Sequence, residues 1–182
     1  MGLPVFKQEL VTKSDFVTFW SGQYSYKNEH LYDDNIGKEL TEDRIWALFM
    51  WKNGGPLSAK KSTSVKSNFI KDETRIPAKR DEMFLGTYLD KPGGAIWRIF
   101  WLHCNYPNTY PIYDQHVHRA MANIMEWKEI EIPSYNKEKV KMYIEQYLPF
   151  WDEFSEFPAK RVDEALWAYG KFLKSGYDFF RI

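Results

Sequence analysis

Residues 93–121, GGAIWRIFWLHCNYPNTYPIYDQHVHRAM, constrain this chain more than any other stretch. Two glycines open an apolar segment, a loop rich in Pro, Asn and Tyr follows, and Asp114 stands at the mouth of a second helical segment. Pro92 can preset φ for a tight turn, while Gly93 and Gly94 can take positive φ and let a ligand approach the backbone. A helix beginning near Ala95 would aim its free N–H groups and positive dipole end at an anion, with Lys91 and Arg98 adding charge. The same turn would equally serve close helix packing. Asp114 suits an N-cap, which would hold the carboxylate by backbone amides and leave its head free to face a ligand.

Helical periodicity runs through the rest. Thr41 can cap a helix with Ile45, Leu48 and Phe49 on one face, ended by Asn53-Gly54-Gly55-Pro56. Ser58 can cap another running to about Asp72. Asn136 precedes a third, with Val140, Ile144, Tyr147 and Trp151 at helical steps, which Pro149 should kink or end. Val162, Leu166, Tyr169 and Leu173 form the stripe of a last helix, and Gly176 suits its C-terminus. Alternation occurs only over residues 127–135, where Pro133 limits it to a short or edge strand near 127–132. With no repeat and no long linker, the pattern predicts an all-α chain: one compact helical domain over residues 1–182, its hairpin and candidate site at 89–121.

The hairpin and the acid together resemble the helix-hairpin-helix base-excision DNA glycosylases, including uncharacterised bacterial proteins of the 8-oxoguanine-glycosylase fold. Residues 89–94 are similar to the family's L-P-G-x-G hairpin. Asp114, His116, Val117 and Arg119 are similar to its V-D-T-H-V-x-R segment, with Gln115 where Thr is common; the terminal DEALWAYGKFLK adds to the likeness. The resemblance implies DNA repair chemistry, hydrolysis of the N-glycosidic bond of a modified base, with Asp114 as the catalytic residue that stabilises positive charge developing on the sugar. The base would first leave the duplex, and Trp97, Trp101 and Tyr113 are candidates to line its pocket. Gly93, Gly94, Lys91 and Arg98 would hold DNA. Members that also cleave the strand place a lysine just after the hairpin glycines. Here those positions read Ala95, Ile96, Trp97 and Arg98, and arginine does not deprotonate to attack a sugar. The expected enzyme is therefore monofunctional. A DNA-binding module of the same fold without catalysis, and a helical partner-binding or phage-defence protein, are the alternatives.

Charge sharpens the DNA expectation. The chain carries 25 basic and 25 acidic residues, so its total charge does not argue for nucleic acid. Residues 52–80 nevertheless hold eight lysines and arginines against Asp72 and Glu73, a local excess of six. Lys60, Lys61 and Lys66 lie there among serines and threonines, a mixture suited to a phosphate backbone or to a plain solvated face. The histidines His103, His116 and His118, with Cys104, show no zinc-ligand spacing, so neither metal nor cofactor is expected. The lone cysteine, the absence of an 18-residue apolar run and the polar start predict a cytoplasmic protein with no membrane association.

Overall fold

The computed structural model describes residues 11–127 and 131–174, and every regular element in it is helical. In chain order these are α1 (Lys13–Gly22), α2 (His30–Asp33), α3 (Glu42–Asn53), α4 (Ala59–Val65), α5 (Glu82–Leu89), α6 (Ala95–Asn105), α7 (Gln115–Ile124), α8 (Asn136–Met142), α9 (Leu148–Asp152) and α10 (Ala159–Lys174). Wider π-type turns, Lys66–Ile70 and Tyr143–Tyr147, extend α4 and α8. Of the stretch read as a strand, residues 128–130 lie outside the described residues, and Trp127, Glu131 and Ile132 beside them form no strand. Gly176 lies outside them too.

Local chemistry sets the boundaries. Thr12, Thr41, Ser58 and Asp81 each accept a hydrogen bond from a backbone amide three residues on, capping α1, α3, α4 and α5. Gly54, at φ 76°, ends α3 in the left-handed conformation that glycine adopts without penalty. Pro149 neither ends nor breaks its helical run. The chain passes from the π turn directly into α9 with Pro149 in its first turn. Tyr135, not Asn136, is the residue that precedes α8.

Helix α6 is the spine of the core. Ala95, Ile99, Phe100, Trp101, Leu102 and Cys104 are all buried on it, so it is covered on nearly every side. The Phe100 ring stacks with Trp51 and meets Phe49 edge-on, joining α6 to α3. Truncating such a ring to alanine typically costs about 3–5 kcal/mol. On the other side α10 packs on both α1 and α7. Gly170 sits so close to α7 that a Cβ there would come within 1.8 Å of the His116 carbonyl oxygen. That glycine fixes how near α10 lies to the Asp114 end of α7.

Candidate functional site

Asp114 caps α7 as its sequence position predicts. Its Oδ1 accepts from the amides of His116 at 2.9 Å and Val117 at 3.2 Å, which leaves Oδ2 to turn outward. The group that meets it is Lys52, one residue before the end of α3, with Nζ 3.1 Å from Oδ2. Burial raises the Asp114 carboxyl, but the Lys52 ammonium, His116 and the Val117 amide outweigh it and hold the acid below its ordinary range. The pair is not sealed: the side chains are 8% and 18% exposed, because they stand in the wall of a pocket.

Four parts of the chain supply the rest of that wall. Tyr24, Tyr26, Glu29 and Tyr32 come from the segment around α2, Trp51 from α3, Ile112 and Val117 from the flanks of Asp114, and Lys160, Asp163, Glu164 and Trp167 from α10. The rings brace one another. Tyr26 meets Trp51 and Trp167 edge-on, each at 5.3 Å between centroids, and its hydroxyl donates to the Trp51 carbonyl. Glu29 is held by Tyr24 Oη and Trp51 Nε1, both at 2.9 Å from its Oε2. The cavity has a volume of about 50 Å³. At roughly 10–15 Å³ per water, that is room for about three to five waters, near the size of one ring system.

Asp163 differs from every other acid in the pocket. Its residue exposure is 8%, and neither carboxyl oxygen makes a hydrogen bond of good geometry, although the Ile112 amide and the Trp151 indole approach it. Burial pushes its carboxyl up to about 8, against weaker lowering by the Ile112 amide, the Trp151 indole and Lys52, while the Asp114 charge adds to the rise. The Trp151 Nε1 likewise makes no bond of acceptable geometry, so the indole leans toward the acid without satisfying it. At neutral pH Asp163 is mostly the neutral acid, able to donate one hydrogen bond and accept others.

The hairpin stands elsewhere. Gly93 and Gly94 have φ of 117° and 86°, as the turn required. Yet a Cβ on Gly93 would come 2.9 Å from Phe69 Cζ, so the turn is packed against the core. Arg98 is buried: its Nε donates to the Pro92 carbonyl at 2.8 Å and its Nη1 to Asp72 and the Tyr88 hydroxyl at 2.5 and 2.9 Å. The first amide of α6, on Ala95, donates at 3.5 Å to the Asn136 side chain. Lys91 donates to Thr74 Oγ1 at 2.7 Å. None of Lys91, Gly93, Gly94 and Arg98 lines the pocket that Asp114 enters.

The three rings expected around a base are also elsewhere. Tyr113 is fully buried with its hydroxyl 2.8 Å from His118 Nδ1, and Trp101 lies in the core against Phe49 and Phe69. Trp97 packs on Phe49 under Lys61. Trp51 and Trp167 stand in the pocket wall instead. Lys60, Lys61 and Lys66 are exposed as expected. Lys61 Nζ bonds Asn53 Oδ1 at 2.5 Å, which brings the basic face of α4 to the residue after Lys52.

His103 has an internal role. Its Nδ1 lies 2.8 Å from the Tyr110 carbonyl and so carries the proton, leaving Nε2 to accept from Tyr32 Oη at 2.7 Å. Burial lowers its imidazole to about 4. No group of three or more His, Cys, Asp or Glu suited to a metal ion occurs among the described residues, and no helix among them is long and apolar enough to cross a membrane.

Sequence reasoning did not find Lys52, Asp163 or Trp167. Asp163 did carry a signal: with Leu166, Trp167 and Gly170 at helical steps from it, it is a lone acid on the buried side of an amphipathic helix. Lys52 carried none, since a lysine in the last turn of a helix is ordinary. Comparison with protein-family models, with curated proteins and with solved structures finds no match to this chain.

Proposed function

We propose that this chain binds DNA and takes an extruded modified base into the pocket, hydrolysing its N-glycosidic bond without cutting the strand. The observation that carries the reading is Asp114: a carboxylate with a lowered proton affinity, fixed by two amides, in the wall of a ring-lined pocket sized for one heterocycle. As the base departs, positive charge grows on the sugar, and a fixed carboxylate nearby stabilises it without reorganising. Tyr26, Trp51 and Trp167 would hold the base, and the exposed Lys60, Lys61 and Lys66 would hold phosphates. Lys91 at the exposed edge of the hairpin would add one phosphate contact.

Lys52 supports a second reading. Its ammonium already neutralises Asp114, which suits a module that binds DNA and performs no chemistry. A base-release screen on duplexes carrying modified bases separates the two. The enzyme releases base and loses this with Asp114→Asn, whereas the binding module shows only salt-dependent binding. Borohydride trapping on abasic DNA is expected to give no adduct. An adduct that disappears in Lys52→Ala would replace the monofunctional reading with a strand-cutting one.

A further inference from the structure

Buried polar groups in folded proteins almost always have partners, so an acid without a well-formed bond asks what completes it. Asp163 is that acid: the residue stands in the lining of the pocket, both its oxygens are covered and neither makes a hydrogen bond of good geometry, although the Ile112 amide and the Trp151 indole approach it, so a ligand meets the carboxyl once the side chain turns toward the pocket. The groups facing it are Lys52 from α3, Asp114 and the Ile112 amide from the α6–α7 loop, and Trp151 from α9. Tyr32 of α2, and Tyr143 and Tyr147 of the second π turn, also face it. Burial raises all three tyrosines, so they stay neutral. Lys52 already holds Asp114, and the other lysine of the pocket wall, Lys160, pairs with Glu29, Asp33 and Glu164, so neither is committed to Asp163. The walls beside it are aromatic, which suits a flat ring more than a small polar solute.

We propose that Asp163 selects what the pocket takes: its carboxyl group pairs, giving one hydrogen bond and accepting one, with the amidine or lactam edge of a flat heterocycle held among Tyr26, Trp51 and Trp167. The inference rests on the base-binding reading above and names the substrate feature that site recognises. A ring edge with an acceptor beside a donor fits; an edge with acceptors only leaves one acid oxygen unbonded and is rejected.

The probe is 9-methyl-2-aminopurine, whose N1 accepts and whose amino group donates on one edge, followed by quenching of its fluorescence against the pocket rings. The wild-type chain is expected to bind it, and Asp163→Leu to bind at least about tenfold more weakly. Asp163→Asn keeps one donor and one acceptor and should stay within about twofold of wild type. As a competitor, 9-methylpurine, which lacks the amino donor, should show no preference for wild type over D163L. Raising the pH through about 8 removes the acid's proton and should weaken wild-type binding while D163N stays level. The proposal falls if the wild type does not bind, if D163L binds like wild type, if D163N fails as D163L does, or if wild-type binding ignores pH. The last is the result expected if a buried water joins Asp163 to Trp151 and Tyr147. Thermal unfolding checks that D163L folds; if it does not, the pH comparison with D163N decides. Base release is scored separately. Probe binding that depends on Asp163, with no release from any duplex, would sink the enzyme and spare this inference.

Discussion

Two buried ion pairs, one at each end of the region that sequence alone singles out, have opposite fates. Arg98–Asp72, beside the hairpin, is 4% and 10% exposed, and its groups are bonded inward to Pro92, Tyr88 and Thr74. Lys52–Asp114 is nearly as well buried, yet it faces a pocket, and the acid next to it in that pocket makes no hydrogen bond of good geometry. The first pair closes a turn. The second leaves chemistry open. What separates them is whether the hydrogen-bonding capacity around each pair is filled from within the fold, since an unfilled buried group keeps its desolvation penalty until something binds it. Charge and burial alone would rank the two alike.

Substitutions can break this contrast, and the largest effect is expected at the helix contact that builds the pocket. Gly170→Ala puts a Cβ against the α7 backbone, where overpacking should cost about 3 kcal/mol or more. Urea unfolding measures it, and a near-neutral result would mean that α10 does not sit where the pocket needs it. Arg98→Met comes next. It strands Asp72 in the interior and should cost about 3–5 kcal/mol, while on the proposed DNA-binding reading the affinity of the folded fraction should stay the same. Lys52→Met should cost less, about 1–2 kcal/mol, because Asp114 keeps two amides and some access to water. It should nevertheless change base release or DNA binding; equal stability losses for the two variants would erase the contrast.

Proton linkage gives a finer test. The Asp163 carboxyl is raised from 3.8 to about 8 on folding. Between those values the folded chain binds a proton that the unfolded chain does not, so stability falls as pH rises. His103, lowered from 6.5 to about 4, has the opposite sign, and its contribution grows as pH rises between those values. The two oppose below about 6.5, and above it Asp163 acts without His103. Wild-type stability should therefore decline from pH 6.5 to about 8, on the order of 1 kcal/mol per pH unit from this group. D163N should lack that decline, and parallel curves for the two proteins would refute it. The smallest effect on stability belongs to the triple replacement of Lys60, Lys61 and Lys66 by alanine, about 0.5 kcal/mol or less per site. Its signature is in binding: the slope of log affinity against log salt should flatten by roughly 2 to 3.

Asp114 was legible because an N-cap is a local device: one side chain, two amides, no distant partner. The helix starts at Thr41 and Ser58 and the stop at Gly54 were legible for the same reason. The rings of the pocket were not. Trp97, Trp101 and Tyr113 are near Asp114 in the chain, but α6 packs the two tryptophans against the core and the segment before α7 buries Tyr113, while Trp51 and Trp167 arrive from helices far away in sequence. Arg98 read as a free cation because a sequence does not show that Asp72 and Tyr88 will close around it.

By itself, then, the sequence determined that the described chain is helical, where several helices begin and end, and that one acid is fixed at the mouth of α7. Periodicity and caps act over a few residues, so they are written in the order of the chain. Only the tertiary structure decided which charges are satisfied from within and which face a pocket. That depends on the close approach of α10 to α7 at Gly170 and on the reach of Lys52 across from α3, and the strength of a buried charge is set by neighbours in space.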